Sequence, residues 1–360
     1  MTNGWIDIKN TDMMLIMGGN PAENHPCGFK WAMEAKRNRN AKLISVDPRF
    51  TRTSSTADLF LQIRAGTDIA FLGGVIRYAI ENNRIAHDYL VNYTNAAFVV
   101  KEGFKLPEDG LYSGFDSAGG TYADKSTWNY QAFTGPSGKT GTAPAYSGDA
   151  PEPTPGKPEG PLPPPSLPPN VAYDLTLQNP RCVFQLLKQQ YSRYTPEMVE
   201  RITGIPRDQF LRAADLFTSV RKNGDMKKAA TIIYAVGRTQ HTFGTQIIRT
   251  AAMLQLLMGN VGRAGGGVNA LRGHSNIQGA TDMAGLFDSL PGYLKAPVPA
   301  DTDLATYLKR TTPTASMPAP WASMNYYSNT PKFFVSFLKA LYGAASTKQN
   351  DFAFSYLPKV

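Results

Sequence analysis

Short apolar runs alternate with amphipathic stretches along most of the chain. Residues 12–19, DMMLIMGG, form an apolar run that ends in glycines and reads as a buried strand. After the loop NPAENHP, the stretch GFKWAMEAKRNRN has helical spacing, with Phe29, Ala32 and Ala35 on one side and basic residues on the other. AKLISVDP (41–48) is a second strand, LFLQIR (59–64) a third, and DIAFLGGVIRYAIENN (68–83) a helix. Further on, PRCVFQLLKQQYSRY, TPEMVERITG and PRDQFLRAADLFTSVR read as helices, with Pro180 near the first turn of the first. ATIIYAVG (230–237) is another buried strand that runs into a glycine. GTQIIRTAAMLQLLMGN follows as a helix, with Ile247, Ala251, Leu254 and Met258 along one face.

Strand, helix and strand in this order predict an α/β fold, a doubly wound, Rossmann-like parallel sheet. Between about 98 and 178 the pattern is lost to Gly, Ser, Thr, Tyr and Pro. Residues 151–169 are a proline tract, expected to be extended and exposed as a spacer or surface loop. A proline-motif ligand is the other reading of that tract. From about 276 a segment rich in Pro, Tyr and Met begins. The expected organisation is therefore one α/β domain over 1–275 with an insertion at 98–178, then the start of a second α/β domain over 276–360.

Composition narrows the function. The 360 residues are 42% hydrophobic and 18% charged, with no apolar run long enough to span a membrane and no secretory signal at the N-terminus. The net charge of +9 could serve nucleic acid, but the basic residues are dispersed among acidic ones. Solvated helix faces and a few phosphate contacts account for it better, so no nucleic-acid partner is expected. The two cysteines, Cys27 and Cys182, lie far apart, which excludes a metal cluster built from this chain alone. Each reads as a small buried hydrophobe.

Ligands of an open parallel sheet sit beyond the carboxyl ends of its strands. Gly18-Gly19-Asn20, Asp47-Pro48-Arg49 and Gly237-Arg238-Thr239-Gln240 mark three such ends, and Ala65-Gly66-Thr67-Asp68 adds a turn before a helix N-terminus. Glycines there let backbone approach a phosphate, a carboxylate such as Asp47 can take ribose hydroxyls, and Arg49 can pair with phosphate. Each turn alone could be ordinary strand-end punctuation; the three together favour a nucleotide-like ligand, although no GxGxxG marks the usual dinucleotide turn. AGGGVNALRGHSNIQGATDM (264–283) packs polar donors among glycines and reads as a ligand-lining loop, anchored inside by Val268, Leu271 and Ile277.

That last stretch, preceded by MLQLLMGNVGR, resembles the segment under the metal in molybdopterin-guanine-dinucleotide oxidoreductases, above all the large (alpha) catalytic subunit of respiratory formate dehydrogenases. WIDIKNTD, MGGNPAENHPCGFKWAMEAK, AKLISVDPRFTRT, IRAGTDIAFL, PRCVFQLLKQQYSRYTP, YAVGRTQH, SLPGY and PKFFVSFLKALYG (331–343) extend the likeness over nearly the whole chain, except about 134–170.

The resemblance implies a molybdenum or tungsten ion held by two molybdopterin guanine dinucleotides, with formate oxidised to CO2 and electrons leaving through 4Fe–4S clusters. It assigns Arg272 to orienting the formate carboxylate, a task suited to a planar guanidinium, and Gly273 and His274 to the pterin. Gly19, Asn20, Glu23, Asp47, Arg49, Gly66, Thr67 and Asp68 fall on the surface for one guanosine diphosphate arm, and Gly237 and Gln240 on a further wall. His25 and His241 fall in these motifs as hydrogen bonders, not metal ligands. Arg238 departs from the pattern, standing where close relatives tend to have tryptophan.

By the same resemblance, the metal-ligating cysteine or selenocysteine and the cluster cysteines lie upstream of Met1, and a carboxy-terminal barrel after Val360. The chain is then expected to be an internal piece, inactive alone; a selenocysteine UGA codon read as a stop would produce such a start. The implied partners are an iron–sulfur beta subunit and a membrane cytochrome gamma subunit, on the periplasmic side of the inner membrane. The readings left open are another molybdopterin oxidoreductase and a non-catalytic guanine-nucleotide-binding remnant.

Overall fold

The computed structural model describes residues 2–106, 111–132, 171–274, 276–285, 289–314 and 326–360. Five apolar runs pair as one parallel sheet: β1 (Met13–Met17), β2 (Lys42–Asp47), β3 (Leu59–Gln62), β6 (Ala230–Tyr234) and β7 (Val268–Ala270). Between β3 and β6 lies a two-residue antiparallel pair, β4 (Phe115–Asp116) with β5 (Thr121–Tyr122). The sheet order is β3-β2-β1-β6-β7, with Leu15 opposite both Ile44 and Ile232. The chain thus winds outward from β1 to β3 on one side, then crosses to β6 on the other. That reversal puts a crevice between the carboxyl ends of β1 and β6.

Side chains alternate across a strand, so β1 feeds both faces of the sheet. Met13, Leu15 and Met17 join one core cluster, Met14 and Ile16 the other. All five are buried, which is why the run is apolar throughout instead of alternating. On the second face lie α1 (Pro21–Asn24) and α2 (Pro26–Arg39), the latter presenting Phe29, Ala32 and Ala35 to Leu43 and Ile233. A single turn, α3 (Arg52–Ser55), precedes β3. The first face carries α4 (Asp68–Glu81), α5 (His87–Tyr93), α6 (Val183–Tyr191), α7 (Pro196–Thr203), α8 (Arg207–Thr218) and α10 (Gly244–Leu257). The single turn α9 (Val236–Thr239) links β6 to α10. Local chemistry fixes the ends of α7: the Thr195 hydroxyl accepts the Met198 N–H at 3.1 Å, and Gly204 closes the helix at φ 75°.

Three expectations are corrected. Pro180 lies outside α6, which begins after Cys182, because Val99 and Cys182 are joined by an antiparallel bridge that keeps the backbone extended. Cys27 is exposed while Cys182 is buried; the first turn of α2 points Cys27 away from the face that holds Phe29. Ile277 is 40% exposed and anchors nothing, whereas Leu271 is buried. The proline tract lies outside the described residues.

The chain divides into two compact units, Met1–Leu271 and Arg272–Val360. The sequence boundary is drawn four residues later, but the last strand sets this one: the Leu271 N–H still donates to Tyr234 at 2.7 Å. The second unit contains α11 (Ile277–Asp282), the hairpin β8 (Ser289–Leu290) with β9 (Leu294–Lys295), α12 (Leu304–Thr311) and α13 (Thr330–Tyr342). Its core gathers Tyr307, Phe334, Leu338 and Phe354. Among the described residues no helix is long and apolar enough to cross a membrane.

Candidate functional site

The turns after β1, β2, β3 and β6 meet at one cleft of about 460 Å³, within the range of roughly 300–1,000 Å³ usual for small-molecule sites. Gly18, Gly19 and Asn20 supply one wall, Asp47, Pro48 and Arg49 the next, Ala65, Gly66 and Asp68 a third, and Val236, Gly237 and Gln240 a fourth. Of the sequence-selected residues in the first unit, Gly19, Asn20, Asp47, Arg49, Gly66, Asp68, Gly237 and Gln240 are therefore brought together.

Glycines bring these turns close. Gly18 has φ 63°, and a Cβ on it would stand 2.7 Å from Arg238 Cγ; one on Gly19 would stand 2.9 Å from Ala235 Cβ. A polar lattice then fixes the first wall. Asn20 Oδ1 accepts the Thr53 backbone N–H at 3.2 Å and its hydroxyl at 2.9 Å, while Asn20 Nδ2 donates to Glu23 at 2.7 Å. Glu23 thus orients Asn20 and does not itself line the cleft. Thr67 is likewise set back, its hydroxyl donating to Arg64 O at 2.7 Å.

Asp47 accepts the Arg49 backbone N–H at 2.9 Å, which uses one carboxylate oxygen and leaves the second as an acceptor. Arg49 stands exposed at the rim. His241 hydrogen-bonds to Gly237 O at 3.0 Å through Nε2, which must carry the proton since the carbonyl only accepts. Asp68, 6% exposed, opens α4. Burial pushes its carboxyl above the ordinary range, opposed by Arg238, by its own backbone N–H and by His241.

Sequence reasoning did not select Asn24, which lines the cleft four residues after Asn20. That spacing, one helical turn on, is the signal that could have found it. Nor did it foresee that Arg238 is fully buried behind the wall it belongs to. Arg272, Gly273 and His274 open the second unit and are all exposed. Among the described residues no group of three or more His, Cys, Asp or Glu is placed to hold a metal ion.

The cleft suits a nucleoside diphosphate: closely packed glycines for phosphate approach, a carboxylate with a free oxygen, a rim guanidinium and amide side chains. A family profile described as molybdopterin oxidoreductase matches residues 1–349. The nitrate-inducible formate dehydrogenase major subunit of Escherichia coli (strain K12) is 49% identical over 359 residues, covering 100% of this chain and 31% of that protein. The formate dehydrogenase major subunit of Haemophilus influenzae is 47% identical, again over 100% of this chain and 31% of that protein. Formate dehydrogenase 2 subunit alpha (cytochrome c-553) of Nitratidesulfovibrio vulgaris is 46% identical, with the same two coverages. The chain thus spans about a third of the length of these relatives. Acetylene hydratase from Pelobacter acetylenicus aligns at TM-score 0.40 and 17% identity over 72% of this chain and 24% of that one, too slight a likeness to bear on function. With the profile covering almost every residue, the chain belongs to the molybdopterin oxidoreductase family, whose cofactor is a molybdenum-bearing pterin.

Proposed function

We propose that this chain forms the wall of a pterin guanine dinucleotide site in the catalytic subunit of a formate dehydrogenase. The observation that carries the reading is the convergence of four glycine- and carboxylate-bearing turns on one cleft, in a chain 46–49% identical to formate dehydrogenase subunits. Asn20, Asp47, Arg49, Gly66 and Asp68 would hold one guanosine diphosphate arm, with Gly237 and Gln240 closing it. When bound, the metal–pterin group supplies a two-electron acceptor for the oxidation of formate to CO2. Arg272 would grip the formate carboxylate through two parallel N–H bonds, and Gly273 and His274 would contact the pterin.

In this reading electrons leave through a 4Fe–4S cluster to an iron–sulfur beta subunit and a membrane cytochrome gamma subunit. The subunit works at the periplasmic side of the inner membrane. The test is formate-dependent dye reduction by a full-length subunit carrying this sequence. Arg272→Ala should lower it by about ten- to a hundredfold, the worth of a charge-assisted pair. Turnover of nitrate in place of formate would reject the assignment.

A further inference from the structure

Arg238 follows β6 in the turn α9, yet its side chain is 0% exposed. It runs inward over Gly18, with Cγ 2.7 Å from where a Gly18 Cβ would stand. Nη2 donates to Ile247 O at 3.1 Å, and the guanidinium lies 5.5 Å from the centre of the Tyr234 ring. Nε stands 3.8 Å from Asp68 Oδ1, near enough for charge attraction but too far for a hydrogen bond. Both Nε and Nη1 lack hydrogen-bond partners among the described residues.

A buried cation so poorly satisfied costs stability. Burial lowers its proton affinity to about 10, which still leaves it charged at neutral pH. Its nearest carboxylate is Asp68, which lines the cleft from the first turn of α4. Asp68 is faced by Arg238 from α9 and by His241 from the turn beyond it, and Arg238 is the stronger of the two. Removing the guanidinium would take away the largest influence that opposes burial at Asp68, leaving its own backbone N–H and His241.

We propose that Arg238 is a positioning residue for the cleft, holding the Asp68 carboxylate in place as an acceptor for the N–H and O–H donors of a nucleotide ligand. This rests on the nucleotide reading of the cleft. Arg238 touches no ligand itself; it acts from behind the wall, through Asp68.

The test is calorimetric titration with GDP between pH 5 and 8 of a full-length subunit carrying this sequence, prepared free of its pterin cofactor, for the parent, Arg238→Met, Arg238→Lys, Asp68→Asn and the double variant Arg238→Met with Asp68→Asn. The terminal phosphate titrates alike in all five, so differences between variants are what is read. Arg238→Met should weaken GDP about tenfold at pH 7, the worth of a charge-assisted hydrogen bond. The loss should grow as pH falls, because Asp68 then takes up a proton sooner. Arg238→Lys keeps the charge and should recover part of the affinity and move the pH midpoint back. Asp68→Asn should weaken GDP similarly, and the double variant should be no weaker than either single one. Carboxyl-carbon NMR of Asp68 should show its titration moving to higher pH in Arg238→Met. Parent-like affinity and an unmoved Asp68 titration in that variant would overturn the proposal while leaving the nucleotide reading intact. A cofactor-free parent subunit that does not bind GDP would overturn both. If Arg238→Met does not fold, Asp68→Asn decides, since parent-like GDP affinity there also overturns the proposal.

Discussion

The backbone N–H of Gly237 donates to the carbonyl oxygen of Gly18 at 3.1 Å, tying the turn after β6 to the turn after β1. A Cβ on Gly237 would stand 2.8 Å from that same oxygen and 2.9 Å from Gly18 Cα. Both neighbours are backbone, so neither can swing aside as a flexible side chain would. The two glycines therefore set the width of the crevice at the point where the winding of the sheet reverses.

Gly237→Ala should push these turns apart and cost about 1–3 kcal/mol, as overpacking of a filled space does. Urea unfolding measures the loss, and GDP titration should show weaker binding in the surviving folded protein. A variant as stable as the parent would mean that the turn relaxes without strain.

Asp174 gives a pH signature remote from the cleft. One of its oxygens accepts the Thr176 N–H and hydroxyl at 2.9 and 2.6 Å; the other accepts the N–H groups of Gln178 and Asn179 at 2.8 and 2.6 Å. The Thr176 hydroxyl and these backbone donors hold the carboxyl down at about 2, against an ordinary 3.8. A depressed carboxyl contributes stability that is present above its unfolded value and lost as pH falls through the folded one. Solvent around this loop discounts the contribution to about 1 kcal/mol. Asp174→Asn should therefore be less stable than the parent at neutral pH. The gap should stay constant down to about pH 5 and shrink as pH falls toward about 2. Thermal unfolding across that range checks it; a gap independent of pH would assign the effect to geometry alone.

Legibility in the sequence followed how local each cause is. β1 could be read because helices cover both faces of the sheet, which demands five apolar residues in a row. The inward face of α2 could be read from the spacing of Phe29, Ala32 and Ala35. The strand-end turns could be found because parallel strands collect their ligands at one end. The bridge between Val99 and Cys182 joins residues more than eighty positions apart, and no local pattern announces such a pairing. Arg238 was illegible for another reason. An arginine in a turn reads as solvated, and only the space left by the missing Gly18 side chain lets it run inward.

Arg221 is a second fully buried arginine, but a satisfied one. It donates to the backbone oxygens of Val220, Asp225 and Lys228 at 2.8, 3.1 and 2.6 Å, to that of Met258, and to Asn260 Oδ1 at 2.7 Å. Asn260 also accepts the Ala230 N–H at 3.2 Å, so the network reaches the start of β6. Each orphaned buried acceptor costs about 1–3 kcal/mol. Arg221→Met should therefore lose at least about 3 kcal/mol in urea unfolding. Arg238→Met, whose parent side chain makes one hydrogen bond, should lose much less. Equal losses would contradict the difference in satisfaction between the two sites.

Asn20 separates binding from stability at the cleft itself. Its side-chain oxygen holds both donors of Thr53, and its amide nitrogen holds Glu23. Asn20→Ala removes all three bonds from a partly buried position, and a loss of about 1–2 kcal/mol is expected. Thr53→Val keeps the backbone bond to Asn20 but removes two hydroxyl bonds, the one donated to Asn20 and the one accepted from the Ala22 N–H at 3.1 Å, so its cost should be similar, about 1–2 kcal/mol. If the proposed guanosine diphosphate arm contacts Asn20, Asn20→Ala should also weaken GDP about tenfold, while Thr53→Val should leave GDP affinity within about twofold of the parent. Stability is read by urea unfolding and affinity by calorimetry on the same samples. Equal loss of affinity in both variants would make Asn20 a brace for the α3 turn and remove it from the ligand surface.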